Sequence, residues 1–344
     1  MRYYSTNKAA PSVGFRDATI AGQAPDKGLY FPERIPALSE HFLRNFATMP
    51  KADMAFEVMQ PYLGDEIAPD DLHQLCHETL DFPFPLPRLD AQTHILELFH
   101  GPTLAFKDVG ARFMSRCLGH FSKHEGRKVT VLVATSGDTG GAVAHGFLGV
   151  AGVEVIILYP SGKVSKVQEQ QLTTLGKNIT ALEVQGTFDD CQAMVKAAFM
   201  DTNLRKKLHL TSANSINVAR WLPQQLYYFL AAATLEASGV DMGSVKPVFA
   251  VPSGNFGNIC AGLLAQASGL PLGRFVAACN ANHPFTDYLA TGVFTPTDAV
   301  PTMSNAMDVG NPSNLVRIVE IFATVTATRL GRVRSEERRV GKEC

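Results

Sequence analysis

The stretch HGPTLAFKDVGARFM, residues 100–114, sets one lysine, Lys107, in a mostly apolar run behind a His-Gly-Pro turn and ahead of a predicted helix. The ordinary reading of Lys107 is a solvated helix-start residue beside an acidic neighbour, because charged side chains are seldom buried unpaired. The sharper reading is that desolvation lowers the pKa of the ammonium group and leaves an amine able to attack a carbonyl. One residue does not decide between them; a cofactor site elsewhere in the chain would.

Two glycine-rich stretches have the same build: VATSGDTGGAVAHG (133–146) and AVPSGNFGNICAG (250–262). Each follows a β-branched run and precedes a helical one, the place where open α/β sheets bind ligands. Small residues let the backbone approach a ligand, and the N–H groups that open the following helix point at an anion. A single loop of this kind is as easily a tight turn. Two on one sheet favour a pair of anion cradles.

Other motifs fall away. Neither loop has the spacing of a phosphate-binding GxxxxGK[ST] or of the dinucleotide GxGxxG, and GxSxG is absent. The DTG at 138–140 lacks the second carboxylate that an aspartic protease needs. His73 with His77, and His120 with His124, stand four apart, which puts each pair on one face of a helix. Without a third ligand of clear spacing they read as exposed or capping histidines, and no metal is assigned. What remains is a lysine, an anion cradle and a second polar glycine loop. Pyridoxal phosphate needs that set: an amine for its aldehyde, a backbone nest for its phosphate and a site that drains electrons into its ring.

The elements that must position these residues read as α/β. From about residue 90 short β-branched runs (128–135, 153–160, 178–184, 247–252, 274–279) alternate with helical stretches (142–150, 164–176, 189–200, 219–239, 259–269). That alternation predicts parallel strands covered by helices on both faces, a doubly wound arrangement. Residues 1–80 are turn-rich and form a separate N-terminal unit; the Pro-rich DFPFPLPRLD, 81–90, reads as a linker, and 91–333 as the catalytic region. In 344 residues, 46% hydrophobic and 18% charged, a net charge of -1 gives no basis for nucleic acid or an anionic membrane as partner. Six cysteines without paired spacing, no secretion signal and no unbroken apolar span predict a cytoplasmic protein acting on a small molecule.

On these residues the chain resembles the threonine synthase family, in the tryptophan-synthase-β-like group (fold type II) of pyridoxal phosphate enzymes. The opening MRYYSTNKAAPSVGFRDATIAGQAPDKGLYFPERIP resembles that family's N-terminal domain, and FHGPTLAFKDVGARFM its lysine motif. The resemblance implies that O-phospho-L-homoserine and water become L-threonine and phosphate, in a monomer or homodimer, with Lys107 as the catalytic residue joined to the cofactor. It implies that Gly254, Asn255, Phe256, Gly257 and Asn258 hold the cofactor phosphate, and that Thr135, Ser136, Gly137, Asp138 and Thr139 hold the substrate carboxylate. It further implies that Ser215, Asn217 and Arg220, in SANSINVAR, grip the substrate phosphate, with Lys163 an added contact and Lys166 a further candidate.

The alternatives are a serine or threonine dehydratase of the same fold, or an inactive fragment. The likeness stops near Ile321, before the segment in which the family carries the Ser or Thr that bonds the pyridine nitrogen. Seven charges crowd RSEERRVGKEC, 334–344, and this stretch reads as a non-native tail, so the chain is expected to be C-terminally incomplete.

Overall fold

The computed structural model describes residues 1–126 and 128–326. Strand β1 (Arg2–Ser5) pairs antiparallel with β2 (Val13–Gly14) and β3 (Tyr30–Pro32), and its alternation turns Tyr3 and Ser5 inward. This small sheet shares the core of the larger region. Phe15 meets Phe121 at 6.4 Å between ring centroids, Phe31 stacks on Trp221 at 5.8 Å, and Phe42 meets Phe229 edge-on at 5.9 Å. One apolar cluster runs from Tyr3 to Ile321.

A four-stranded parallel sheet follows, with β4 (Val129–Ala134), β5 (Val153–Pro160), β6 (Ile179–Val184) and β7 (His209–Thr211) in the order β6-β5-β4-β7. Every residue of β4, VTVLVA, is buried, as an inner parallel strand covered on both faces requires. The short β7, HLT, has no hydrophobic run of its own; its pairing with Val129–Val131 defines it. Two further parallel strands, β8 (Phe249–Pro252) and β9 (Phe275–Ala278), form a separate sheet. The expectation of both glycine loops on one sheet is therefore corrected. TSGDTGG leaves the carboxyl end of β4, and PSGNFGN that of β8 in the other sheet.

The long helix expected over 219–239 is also divided. Pro223 cannot donate a backbone hydrogen bond, and a 3-10 turn, Leu222–Gln225, separates helix Val218–Trp221 from helix Leu226–Ala237. The predicted linker, 81–90, holds neither helix nor strand apart from one bridge, Arg88 to His94. Lys107–Glu125 forms the helix foreseen after the lysine, and it ends at Gly126 in the left-handed region (φ 64°). Among the described residues no helix is long and apolar enough to cross a membrane. The predicted tail, 334–344, lies outside the described residues.

Candidate active site

Lys107 is the first residue of its helix and sits mostly buried, its side chain 19% exposed. Two contacts shape the turn before it. Asp108, fully buried, accepts from the Thr103 backbone N–H (2.9 Å) and hydroxyl (2.6 Å). The Tyr227 hydroxyl donates to the Phe106 carbonyl. Between them Leu104 is held at φ 59°, a strained conformation for a branched side chain. The acidic neighbour that suggested a solvated lysine is thus turned inward to brace the loop. Burial pushes the Lys107 pKa below the ordinary lysine value; Asp138 opposes that shift and Arg220 adds to it.

The loop 135–141 meets Lys107 through Asp138, whose Oδ2 lies 3.6 Å from Nζ while Oδ1 accepts from Gln168 Nε2 at 2.9 Å. Thr135 is consumed in building the loop: its Oγ1 accepts from the N–H groups of Gly137 (3.0 Å) and Gly140 (2.8 Å) and donates to the Gly137 carbonyl. Gly137, at φ 138°, adopts a backbone that a side chain resists, and a methyl group there would strike Gln168 at 2.3 Å. Ser136 is exposed and Thr139 half-buried. The helix Asp138–Phe147 opens here with no cap from Gly137; Thr135 takes the Gly140 N–H, which leaves those of Asp138 and Thr139 to an anion.

Arg220 packs against the lysine helix. Its carbonyl and Nε crowd Gly110, one turn beyond Lys107, so closely that a methyl group at Gly110 would lie 2.6 Å and 3.4 Å from them. Arg220 is 3% exposed, and its Nε and Nη1 have no hydrogen-bond partner among the described residues. Burial pushes its pKa down to about 10, against the pull of Tyr227 and Asp108. A buried cation left unpaired costs on the order of several kcal/mol, which an anion bound beside it would offset. Gln224, whose Nε2 donates to the Arg220 carbonyl at 3.0 Å, leaves its own Oε1 without a partner in the same place.

Ser215 and Asn217 part company. Asn217 is fully buried with its amide taken up inside the chain: Nδ2 donates to Thr19 O (2.9 Å) and Ser212 O (3.0 Å), and Oδ1 caps the Arg220 helix at Ala219 N (3.0 Å). It builds the turn and has no group left to grip a phosphate, contrary to the expectation from sequence. Ser215 Oγ accepts from Asn255 Nδ2 (2.7 Å) and Asn314 Nδ2 (3.3 Å), so its own hydrogen is directed elsewhere.

That pair of contacts joins the Arg220 turn to the loop 254–258. Asn255 Oδ1 accepts from Ser313 N (2.6 Å), and Tyr228 donates to Asn258 Oδ1 (2.7 Å), so these side chains hold the loop and leave its backbone N–H groups for a ligand. A methyl group at Gly254 would lie 2.7 Å from Met307 Cα. Phe256, at φ 58°, turns the chain into the uncapped helix Gly257–Ala267. A left-handed residue at an open helix N-terminus forms a nest for a phosphate.

Sequence reasoning missed Asn314 and Arg317. Arg317, fully buried on the Trp221 ring (4.4 Å), donates to the carbonyls of Tyr30, Ser215 and Ile216 and to Asn314 Oδ1. NPSNLVRIV carries no motif, and its long-range hydrogen-bond partners lie 58 to 287 residues away. Lys163 is exposed in the turn beyond β5, and Lys166 opens the exposed start of helix Lys166–Thr173. Neither touches Lys107 or Arg220. The structure brings together Lys107, Asp138, Arg220, Ser215 and Asn255, and these fit pyridoxal phosphate: a depressed amine, a phosphate nest, and an unpartnered guanidinium for a second anion.

Comparison with known proteins agrees. The family model described as threonine synthase N terminus matches residues 2–80, and that of pyridoxal-phosphate dependent enzymes matches 83–328. The threonine synthase of Haemophilus influenzae is 44% identical over 322 residues, 94% of this chain and 74% of the relative. The crystal structure of threonine synthase from Escherichia coli superposes with a TM-score of 0.86 at 42% identity, covering 94% of this chain and 74% of that one. The pyridoxal-phosphate-bound threonine synthase from Brucella melitensis gives 0.88 at 38%, covering 96% and 72%.

Proposed function

The chain belongs to the threonine synthase family and is a pyridoxal-phosphate-dependent lyase; from that premise we propose that it acts on O-phospho-L-homoserine, with Lys107, Arg220 and Ser215 as the groups that touch the reactants. The observation that carries this reading is the buried guanidinium of Arg220, two nitrogens unpartnered among the described residues, packed against Gly110, which is one helical turn beyond a lysine of depressed pKa.

When bound, the cofactor supplies an aldehyde for Lys107 and a ring that takes up the electrons released as substrate C–H bonds break. The backbone of Gly254, Asn255, Phe256, Gly257 and Asn258 holds its phosphate. Lys107, freed when the substrate amine takes its place, removes the proton at the α-carbon and later returns one there; its lowered pKa favours the free amine that a base must be. Arg220 and the Ser215 hydroxyl hold the substrate phosphate and neutralise charge that grows on it as the bond to the γ-carbon breaks. The N–H groups around Ser136–Thr139 receive the substrate carboxylate. Asn217 and Thr135 keep these two turns in shape. A proton leaves the β-carbon as the phosphate departs and one is gained at the γ-carbon; water then adds at the β-carbon to give L-threonine.

We also assign residues 1–80 to the N-terminal domain and 91–326 to the catalytic region, with 81–90 between them. The reaction belongs in the cytoplasm, a placement that the free Cys76, Cys117, Cys191, Cys260 and Cys279 support. The test is to supply O-phospho-L-homoserine to the purified holoenzyme and measure phosphate and threonine together. Equal amounts of both are expected. Release of ammonia from serine or threonine, with no turnover of the phosphorylated substrate, overturns the reading.

A further inference from the structure

Helix Pro69–Thr79 and the two residues after it run beside the lysine helix, and three acid–base rungs tie this segment to it. Asp81 meets Arg112 at 2.7 Å, Glu78 meets Arg116 at 3.1 Å, and Asp71 meets His120 at 3.7 Å. At the third rung the base is an imidazole, which, unlike a guanidinium, can ligate a metal. His124 stands one turn further on, its ring centroid 4.4 Å from that of His120. One nitrogen from each ring and one carboxylate oxygen of Asp71 all lie within 4.8 Å of one another. The sequence offered the histidine pair without a third ligand; the fold supplies it from another helix.

We propose that Asp71, His120 and His124 bind a divalent transition-metal ion, zinc in the first instance, with water completing its coordination. Two imidazole nitrogens and a carboxylate oxygen form a donor set that zinc accepts. With metal–ligand bonds of about 2.0–2.2 Å, tetrahedral donors stand roughly 3.4 Å apart. Asp71 and His124 are exposed and free to rotate inward by the remaining ångström or so.

The surrounding charges set the affinity. The donors line a cavity of about 230 Å³ with Glu66 and Arg16. Glu66 accepts from the Phe15 and Arg16 N–H groups, so it adds negative potential without serving as a ligand, while the Arg16 charge limits binding. Lys107 is thirteen residues back along the same helix, roughly 20 Å at 1.5 Å per residue, so the ion is remote from the reaction. It would clamp the N-terminal region to the helix that carries the lysine.

The experiment titrates chelator-treated holoenzyme with zinc by calorimetry and with cobalt by visible absorption, and follows thermal unfolding with and without zinc. One ion per chain is expected, with no thiolate-to-cobalt charge-transfer band. At zinc 100 times its Kd the folding equilibrium should shift about 100-fold. Asp71→Asn and His124→Ala change exposed residues; each should weaken zinc at least tenfold and leave the cofactor absorbance unaltered. Absence of binding, binding that survives both substitutions, or a thiolate band overturns the proposal.

Discussion

Two buried arginines, Arg220 within the Trp221 helix and Arg317 packed on the Trp221 ring, are kept for opposite purposes. Arg317 is ringed by carbonyl oxygens from Tyr30, Ser215 and Ile216. Arg220 is buried nearly as deeply, yet its Nε and Nη1 have no hydrogen-bond partner among the described residues. Neither pairs with a carboxylate among the described residues. The difference separates a guanidinium that holds a fold together from one reserved for a ligand: the first has its desolvation offset by carbonyl dipoles at all times, the second only when an anion arrives. Loss of the satisfied one should therefore damage stability, and loss of the orphaned one should damage function.

The largest effect expected in the Arg220 region belongs to its neighbour. Lys107→Ala should abolish the visible absorbance of the bound cofactor and turnover alike, and borohydride reduction followed by peptide mapping should place the label on Lys107 in the parent enzyme. A label on Lys163 or Lys166 would move the site. Next, Arg220→Met should lower kcat/KM for O-phospho-L-homoserine by about 1.5–3 kcal/mol, roughly 10- to 150-fold, with cofactor affinity little changed. Equal losses of cofactor and activity would assign Arg220 to the scaffold.

On the other side of the comparison, Arg317→Met strips donors from the carbonyls of Tyr30, Ser215 and Ile216 and should cost about 3 kcal/mol in denaturant unfolding. Cofactor affinity should fall with it, because Arg317 and Asn314 hold Ser215 and Asn255 in register. Unchanged stability would erase the contrast. The smallest effect concerns pH. Asp138 raises the Lys107 pKa and Arg220 lowers it. The free amine is the form that captures an aldehyde, so Asp138→Asn should move the pH midpoint of cofactor capture downward and Arg220→Met should move it upward. A shift of either in the reverse direction contradicts the assigned electrostatics.

Much of this site was legible in sequence because it is local. The lysine motif and the two glycine loops are short runs in which strand end, turn and helix start follow one another, and the resemblance to the threonine synthase family rests on such runs. The strand runs 128–135 and 153–160 were legible for the same reason, since β-branched residues fill a buried parallel strand. What was not legible depends on distant partners. Asn217 reads like a phosphate ligand until Thr19, 198 residues away, takes its amide hydrogen. Arg317 and Asn314 acquire their roles only from chain that folds over them, and β7 exists because β4 offers an edge. The division into two sheets is likewise a matter of pairing, on which neighbouring residues are silent.

The most direct test of the central claim is the thermal midpoint of substrate-free holoenzyme carrying Arg220→Met, measured beside the parent and Arg317→Met. An orphaned guanidinium replaced by an apolar side chain of similar length relieves an uncompensated burial, so the Arg220→Met midpoint should equal or exceed the parent's while the Arg317→Met midpoint falls. A midpoint for Arg220→Met that drops as far as that of Arg317→Met would show that Arg220 is a structural residue and contradict the account.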